Sequence, residues 1–412
     1  MQNAVEQCKP EEVGLCHTRL DRISQHIESR YIEPARMPGA LTLVARGRRV
    51  AYLNCQGMAD VERRKPMQED TLFRIYSMTK PITSVALMML YEAGHFQLMD
   101  PVHRYIPEFR KLRVYASGVY PDFLTTPTAR PMRIMDLLTH TSGLTYGFMN
   151  RSNVDASYRE LKLDMDAPSG FTTRKLVEQL SQLPLEFSPG EAWNYSVSTD
   201  VLGYLIELLS GQSLAEFFQQ RIFAPLGMHD TGFHVPAEKQ ARFAACYEYS
   251  RPGGFGLQDD PASSDFLSPP TYFSGGGGLV STAADYLRFA QMFLNGGEID
   301  GTRLLGPRTV AYMCRNHLPG GKDMPALATG SFSEVPFEGV GFGLGVAVRD
   351  NAASSGVLSS EGELSWGGLA STHFWIDPHE DLITIFLTQL IPSSSYNIRN
   401  ELRTLVYGAL ID

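Results

Sequence analysis

A serine and a lysine stand three residues apart where a strongly apolar segment begins. Ser77 and Lys80 occur in FRIYSMTKPITSVALMMLYEAG, residues 73–94, and Pro81 directly follows the lysine. Because proline has no N–H, a helix tolerates it in the first turn and not in the interior, so this helix must begin near Ser77. Residues three apart share a helix face. The spacing therefore places an amine beside a hydroxyl at the positive end of a helix.

These groups suit nucleophilic attack on a carbonyl carbon. A serine hydroxyl is a weak nucleophile at neutral pH and needs a neighbouring base. An amine can serve as that base when burial or a nearby cation favours its neutral form. The plainer alternative is that Ser77 only caps the helix and that Lys80 is a solvated charge of the first turn.

Two further stretches carry groups that the same chemistry needs. FSPGEAWNYSVSTDVLGYLIELLSG places Tyr195 just ahead of an apolar helix, where a phenol near an ammonium can act as a general base. ELSWGGLASTHFWIDP places Trp366, Gly367 and Gly368 at the head of a strand. Glycines let the backbone approach a ligand closely, and the N–H that follows them can bind an oxyanion. Taken singly, Tyr195 could be an ordinary half-buried tyrosine, and the two glycines could form a strand-entry turn.

Composition and charge limit the function classes. The chain has 412 residues, of which 43% are hydrophobic and 20% charged, which is typical of a globular protein with a sizeable core. The net charge of -9 disfavours nucleic acid and anionic membranes, which attract basic surfaces. No stretch approaches the roughly 18 apolar residues of a spanning helix. We therefore expect neither nucleic acid nor a membrane as a partner.

Cysteine and histidine usage favours a reduced compartment and argues against a metal site. The N-terminal stretch MQNAVEQCKPEEVGLCHTRL lacks a basic start followed by an apolar run, so we expect no secretory signal. The five cysteines are scattered and form no CxxC pair, which is typical of a cytoplasmic protein. The ten histidines show no HExxH motif, and we expect no metal and no cofactor.

Strand and helix patterns place the motifs on one mixed fold. ALTLVARG and RVAYLNCQG near the N-terminus predict strands, as do FGLGVAVRD, ASTHFWIDP and DLITIFLTQL near the C-terminus. Apolar helical segments lie between them. The pattern predicts a mixed α/β domain from residues 1–90 plus 285–412, and a mostly helical inserted domain from residues 91–284.

The motifs of the chain resemble those of a known family. The S-x-x-K at Ser77, the tyrosine at position 195 and the W-G-G at Trp366 come in the order of the serine β-lactamase and penicillin-binding-protein fold. LLTHTSGL, FSPGEAWNYS and FAPLGMHDTGF are similar to phrases of the class C β-lactamase-like group, and SMTKP with WGG most resembles its esterase branch, the family VIII carboxylesterases. The resemblance implies an antiparallel sheet flanked by helices.

The resemblance also implies a role for each matching position. Ser77 would form an acyl-enzyme, and Lys80 and Tyr195 would share the proton transfers, with the identity of the base left open. The backbone N–H groups of Ser77 and Leu369 would form the oxyanion hole. Trp366, Gly367 and Gly368 would bind the substrate. From their aromatic character we also expect Tyr146 and Phe148 to be substrate-binding residues.

Two departures from the β-lactamase pattern favour neutral esters. Trp366-Gly367-Gly368 replaces Lys-Thr-Gly, so the ammonium that would grip a carboxylate is missing. Val197 stands at the asparagine of Tyr-x-Asn. We therefore expect a carboxylesterase for small-molecule esters with short-to-medium acyl chains. Weak β-lactamase activity stays open because the acylation machinery is shared, and so does the oligomeric state.

Other classes remain as alternatives. The acyl-enzyme could pass its acyl group to an alcohol, as in fungal acyltransferases of this fold, if aromatic side chains exclude water. The aromatic residues considered for this are Phe73, Tyr146, Phe148, Tyr272, Phe273 and Trp366. A D-amino-acid peptidase shares the motif, and a non-catalytic binding protein could share the fold.

Three other chemistries are disfavoured. No serine lies in the Gly-x-Ser-x-Gly of an α/β-hydrolase. The glycines at 275–278 lack the Lys-Ser or Lys-Thr that completes a phosphate loop, which leaves a flexible loop near the cleft as the expectation. His140 and His373 are the histidines nearest the motifs, and we expect both to be structural.

Overall fold

The computed structural model describes residues 6–163, 170–250, 254–330 and 337–412. The first five residues of the N-terminal stretch, on which the expectation about a secretory signal partly rests, lie outside them. The strands are β1 Gly39–Arg46, β2 Arg49–Asp60, β3 Lys65–Pro66, β4 Phe73–Arg74, β5 Arg113–Val119, β6 Asp122–Pro127, β7 Cys246–Tyr249, β8 Phe255–Asp259, β9 Val280–Ser281, β10 Glu298–Ile299, β11 Thr302–Arg303, β12 Val340–Phe342, β13 Ala347–Arg349, β14 Leu364–Gly367, β15 His373–Asp377, β16 Leu382–Leu387 and β17 Leu390–Ile391. The helices are α1 His17–Ile27, α2 Thr79–Glu92, α3 Ile134–Leu138, α4 Asn153–Glu160, α5 Thr173–Leu180, α6 Ser198–Ser210, α7 Leu214–Phe218, α8 Ala224–Leu226, α9 Ala283–Leu294, α10 Pro307–Met313, α11 Met324–Leu327 and α12 Ile398–Tyr407.

The main sheet joins the two ends of the chain. Its eight strands within the described residues run in the order β12-β13-β14-β15-β16-β1-β2-β3, and all neighbours are antiparallel. At its centre, Leu43 of β1 lies opposite Ile385 of β16 on one side and Leu53 of β2 on the other. The predicted fold class, an antiparallel sheet flanked by helices, is confirmed.

Helices cover both faces of this sheet. Successive side chains of a strand point to opposite faces, and β1 is buried along almost its whole length. Leu41 and Leu43 join the large core that contains α2 and α9. Ala40 and Val44 join the smaller core that contains α1 and α12. This explains why β1 reads as an apolar run instead of an alternating one.

The helix that carries Ser77 and Lys80 begins where the proline predicts. A 3-10 turn, Tyr76–Met78, leads into α2, and Pro81 lies in the first turn of that helix. All residues from Thr79 to Leu90 are buried. The helix therefore runs through the core with no solvated face along that length, as its apolar composition predicts.

The stretch 91–284 holds α3 to α8 together with two small antiparallel pairs. Strand β5 pairs with β6, and β7 pairs with β8 while accepting β17 as a parallel neighbour. The assignment of this stretch to a separate domain stays a prediction. None of the helices in the described residues is long and apolar enough to cross a bilayer.

Candidate active site

The turn before α2 holds Ser77 in a constrained backbone. Strand β4 pairs with β9, and the N–H of Ile75 donates to the carbonyl of Leu279 at 3.0 Å. Tyr76 follows with φ of 41°, in the left-handed region that bulky residues rarely adopt. Such a conformation persists only where the surrounding structure enforces it. Ser77 then lies at the cavity wall, immediately before the buried helix.

Lys80 is buried with three acceptors around its ammonium group. Its side chain is 1% exposed. Nζ donates to the Ser77 hydroxyl at 3.3 Å, to the Tyr146 hydroxyl at 3.0 Å and to the carbonyl oxygen of Gly276 at 2.6 Å. An ammonium group has three N–H donors, so these acceptors satisfy it without water. The structure thus brings Ser77 and Lys80 together as their spacing predicts.

A buried carboxylate stands behind the lysine. Asp200 on α6 is 2% exposed. It accepts hydrogen bonds from the Ser274 hydroxyl at 2.6 Å, the Gly276 N–H at 3.0 Å and the Tyr146 hydroxyl at 3.4 Å. The Tyr146 hydroxyl therefore connects the ammonium of Lys80 to a carboxylate. A buried charge needs such a partner, because desolvation is costly.

Glycines allow the loop of residues 275–278 to lie close against helices α2 and α6. A Cβ on Gly275 would stand 2.7 Å from the carbonyl oxygen of Thr199. A Cβ on Gly276 would stand 2.5 Å from Asp200 Oδ2 and 2.8 Å from the Tyr146 hydroxyl. The glycines therefore serve close packing at the cleft.

Tyr195 lies beside Lys80 inside a group of aromatic rings. Nζ of Lys80 is 4.5 Å from the centre of the Tyr195 ring. The ring centres of Tyr146 and Trp366 lie 5.3 Å and 5.4 Å from that of Tyr195. Val197, two residues on, is fully buried and donates its N–H to the carbonyl of Thr145. The structure thus gathers the predicted serine, lysine and phenol in one place, while their catalytic roles stay a prediction.

The W-G-G motif lies at the end of strand β14 and not at the head of a strand as predicted, because β15 begins only at His373. Trp366 belongs to β14 and is 5% exposed, with its ring edge-on to Phe342 at 5.2 Å. A Cβ on Gly368 would stand 2.5 Å from the carbonyl oxygen of Ile75, the residue two before Ser77. Glycine therefore lets this strand end approach the nucleophile turn. Leu369 follows and lines the same cavity.

The site opens into a cavity of about 770 Å³. The predicted substrate-binding residues Tyr146 and Phe148 line it, with their rings stacked at 4.7 Å. Further aromatic and proline residues in the wall are Phe233, Phe266, Pro269, Pro270, Tyr272, Phe337 and Trp366. Of the aromatic residues considered for water exclusion, Phe73 lies in the hydrophobic core and Phe273 packs on Phe233 instead of facing the cavity.

Both histidines near the motifs are buried and neutral. Burial, followed by the charge of Lys80, holds the pKa of His140 well below its usual range. Its ring packs 4.9 Å from that of Tyr195, and its Nδ1 lies 3.2 Å from the Ser196 hydroxyl. Burial, then Arg403 and Arg399, lowers the pKa of His373 in the same way. Within the described residues, neither ring is hydrogen-bonded to Ser77, whose hydroxyl accepts from Lys80. The part of the chain that the structure describes holds no group of three His, Cys, Asp or Glu residues suited to a metal ion.

Sequence reasoning missed two groups and one contact. Asp200 and the carbonyl of Gly276 were not candidates, and Tyr146 was expected only as a wall of the substrate pocket. The lone signal for Asp200 is an acidic residue in the first turn of a largely apolar helix, five positions after Tyr195. Its partners are 54 and more residues away in sequence, so no local spacing indicates the contact.

Comparisons with known proteins place the chain among β-lactamase-like enzymes. A protein-family model described as Beta-lactamase matches residues 25–408. Esterase EstB from Burkholderia gladioli is 35% identical over 368 residues, which cover 86% of each chain. Lovastatin esterase from Penicillium rubens is 30% identical over 340 residues, covering 80% of this chain and 82% of that one. A solved structure of "EstCE1, a hydrolase with promiscuous acyltransferase activity" superposes with a TM-score of 0.78 at 29% identity, covering 95% and 99% of the two chains.

Proposed function

The chain belongs to the Beta-lactamase family, and from that premise we propose that it is a serine carboxylesterase working through an acyl-enzyme on Ser77. The observation that carries the proposal is the buried ammonium of Lys80, 3.3 Å from the Ser77 hydroxyl. The similarity to Esterase EstB and to Lovastatin esterase supports ester hydrolysis as the reaction.

In the acylation step, the Ser77 oxygen attacks the ester carbonyl carbon. The hydroxyl proton passes to the Lys80–Tyr195 pair, which enters this step one proton short, either as an ammonium with a phenolate or as an amine with a phenol. The carbonyl oxygen becomes an oxyanion and receives hydrogen bonds from the N–H groups of Ser77 and Leu369. When the tetrahedral intermediate collapses, the bond to the alkoxide breaks, and the pair returns the proton to the departing alcohol. The acyl group then remains on Ser77.

Deacylation repeats these transfers with water. A water molecule attacks the acyl carbon while the Lys80–Tyr195 pair takes its proton. Collapse of the second intermediate breaks the bond to the Ser77 oxygen, which recovers the proton, and the carboxylic acid leaves. No group outside the described site is needed to balance either step.

Tyr146 and Asp200 hold the lysine in place for these steps. The Tyr146 hydroxyl accepts from Lys80 at 3.0 Å and donates to Asp200 at 3.4 Å. Because Asp200 is buried, its carboxylate compensates the lysine charge in a medium that screens poorly. We assign both side chains as positioning residues that keep Nζ of Lys80 directed at Ser77.

The aromatic part of the cavity wall favours neutral, apolar esters, while charged side chains such as Arg349 and Asp265 line other parts of it. Trp366 supplies a ring where β-lactamases supply an ammonium, and the apolar side chain of Val197 cannot hydrogen-bond a substrate amide. Tyr146, Phe148 and Tyr272 add apolar surface to the same cavity. Burial of apolar substrate surface stabilises the bound ester by roughly 25 cal/mol per Å².

Acyl transfer to an alcohol is the second candidate function. The aromatic and proline wall of the cavity reduces the access of water to the acyl group, and the likeness to EstCE1 supports this candidate. An added alcohol that yields more ester than free acid in water would favour transfer over hydrolysis.

We also propose a cytoplasmic location and small-molecule esters as the partners. All five cysteines are described residues and all are free thiols, which suits a reducing compartment. Cell fractionation with an antibody to the native chain tests the location.

The central experiment compares ester and lactam turnover in the parent and in Ser77→Ala. We expect p-nitrophenyl esters to be hydrolysed faster than nitrocefin, Ser77→Ala to abolish turnover, and a fluorophosphonate to label Ser77 in the parent alone. Rapid turnover of nitrocefin with untouched esters would refute the esterase assignment. Near-native ester turnover by Ser77→Ala would refute the acyl-enzyme.

A further inference from the structure

We propose that Arg399, on α12, is a positioning residue that fixes the oxyanion hole. Its guanidinium lies behind the turn between β14 and β15. There Nη2 donates to the carbonyl oxygens of Gly368 at 3.4 Å and Thr372 at 3.3 Å. The inference rests on the proposed function, in which the N–H of Leu369 stabilises the oxyanion.

The geometry of one peptide group connects Arg399 to the reaction. The peptide between Gly368 and Leu369 is trans, so its C=O and N–H point in opposite directions. Because the carbonyl of Gly368 points to Arg399, the N–H of Leu369 points away from α12. Leu369 lines the cavity together with Ser77, and no acceptor within the described residues bonds its N–H. The guanidinium of Arg399, which lines another part of the same cavity, thus fixes the direction of this donor through the carbonyl of the same peptide group.

Arg399 also closes the turn that carries Leu369. The N–H of Gly368 donates to the carbonyl of Thr372 at 2.9 Å, and Arg399 donates to that same carbonyl oxygen. Ser371, inside the turn, has φ of 64° and donates its hydroxyl to the carbonyl of Leu390 at 2.6 Å. A residue in the left-handed region persists only where the surrounding structure enforces it. The single guanidinium nitrogen Nη2 bonds the carbonyls at both ends of this turn and therefore restricts how its peptides can rotate.

The first glycine of the W-G-G motif makes room for this contact. A Cβ on Gly367 would stand 2.5 Å from Nη2 of Arg399 and 2.7 Å from Cζ. The guanidinium therefore lies directly against the strand, where any side chain on Gly367 would displace it. Hydrogen bonds from a cation also polarise the peptide groups they reach, so Arg399 makes the N–H of Leu369 a stronger donor as well as a better placed one.

Two substitutions at this position and one control test the inference. Arg399→Lys keeps the charge but lacks the planar fork, and Arg399→Met removes both. The control is Tyr407→Phe on the same helix, which loses hydrogen bonds to Asp377 at 2.6 Å and Glu363 at 3.0 Å without touching the turn. For each variant we would measure kcat and KM for a p-nitrophenyl ester, Tm, and the Ki of an aryl trifluoromethyl ketone, whose adduct with serine carries an oxyanion.

The two Arg399 variants should lose transition-state binding selectively. Removal of a whole oxyanion-hole donor costs about 10²- to 10³-fold in kcat, so misalignment of one should cost about 10- to 100-fold. We expect KM to stay within about twofold and Ki to rise by the same factor as kcat falls. Tyr407→Phe should lower Tm and leave kcat unchanged. The inference fails if kcat is unchanged in the Arg399 variants, if Ki is unchanged while kcat falls, or if the control loses kcat in step with Tm.

A substitution from the other side covers the case in which the Arg399 variants do not fold. Gly367→Ala pushes on the guanidinium from the strand and should give the same loss of kcat at near-constant KM. When the single variants fold, the losses of kcat caused by Gly367→Ala and Arg399→Met should be less than additive in the double variant. Strict additivity would overturn the inference.

Fluorophosphonate labelling separates this inference from the proposed function. Ser77 of Arg399→Lys should be labelled to completion, only more slowly than in the parent. If the parent is not labelled at Ser77, the proposed function fails and the inference fails with it. If the parent is labelled and Arg399→Lys has the parent's kcat and Ki, only the inference fails.

Discussion

The most informative substitution is Tyr146→Phe, because it removes one oxygen from the centre of the site. The phenylalanine ring keeps the stacking with Phe148 at 4.7 Å and the contact with Tyr195 at 5.3 Å. What it loses is the acceptor for one N–H of Lys80 and a donor to Asp200. The change is therefore close to isosteric, and its effect reports on the hydrogen bonds alone.

The size of the effect follows from the burial of the lysine. A hydrogen bond that involves a charged group contributes about 1.5 to 3 kcal/mol, and a buried donor left without an acceptor costs a similar amount. Lys80 is 1% exposed, so water cannot readily replace the lost oxygen. When this free energy is lost from the arrangement that holds Lys80 beside Ser77, kcat/KM drops by about 10- to 100-fold, since each 1.4 kcal/mol is a factor of ten. Tyr195→Phe, which removes a member of the proton-transfer pair, should cost several orders of magnitude in kcat/KM, which exceeds this positioning effect.

The assay is stopped-flow hydrolysis of p-nitrophenyl butyrate, with the burst phase reporting acylation and the steady state reporting turnover. Phe148→Leu is the matched control: it removes the ring stacked on Tyr146 without touching Lys80, and it should raise KM with little change in the burst rate. A Tyr146→Phe enzyme within about twofold of the parent would reduce Tyr146 to a wall of the pocket. A loss as large as that of Tyr195→Phe would move the acid–base role to Tyr146.

Two further outcomes follow from the same site. His140 and His373 are held neutral in the fold, with pKa values well below 6.5. Below that pH the unfolded chain therefore binds more protons than the folded one. The free energy of unfolding falls as pH drops, by up to about 1.4 kcal/mol per pH unit for each histidine. Urea unfolding should show a flatter pH dependence in a His140→Gln, His373→Gln variant, and an unchanged slope would contradict this. Gly276→Ala places a Cβ 2.5 Å from Asp200 Oδ2, so ester turnover should drop severely. Gly256→Ala is the tolerated control, because a Cβ there meets nothing within 4 Å and the backbone φ is not positive.

The nucleophile and its lysine could be predicted because their relation is local. Ser77 and Lys80 share one helix end, and Pro81 restricts where that helix begins. The strands at both ends of the chain could be predicted in the same way, from short apolar segments. Their register could not: the pairing of Leu43 with Ile385 depends on packing across more than 300 residues.

The surroundings of Lys80 lie beyond such reasoning. Tyr146, Asp200 and Gly276 come from three separate loops or helices, and a single tyrosine, aspartate or glycine is common in any chain. Aromatic character alone predicts that Tyr146 lines the pocket. This prediction is correct for the ring, but it does not cover the hydrogen bonds of the hydroxyl. Resemblance identifies positions that match a motif, whereas these contacts follow from how the segments pack.

The left-handed backbone of Tyr76 has a consequence for any fragment of this chain. A non-glycine residue in that region costs about 1 to 3 kcal/mol, and the pairing of β4 with β9 and the neighbours of the Tyr76 ring offset the cost only in the complete fold. In a synthetic peptide of residues 73–94, Tyr76 would relax to an ordinary φ, and Ser77 would lose the orientation that it has in the fold. The reactive geometry is thus a property of the assembled molecule, and no excerpt that contains the motif would inherit it.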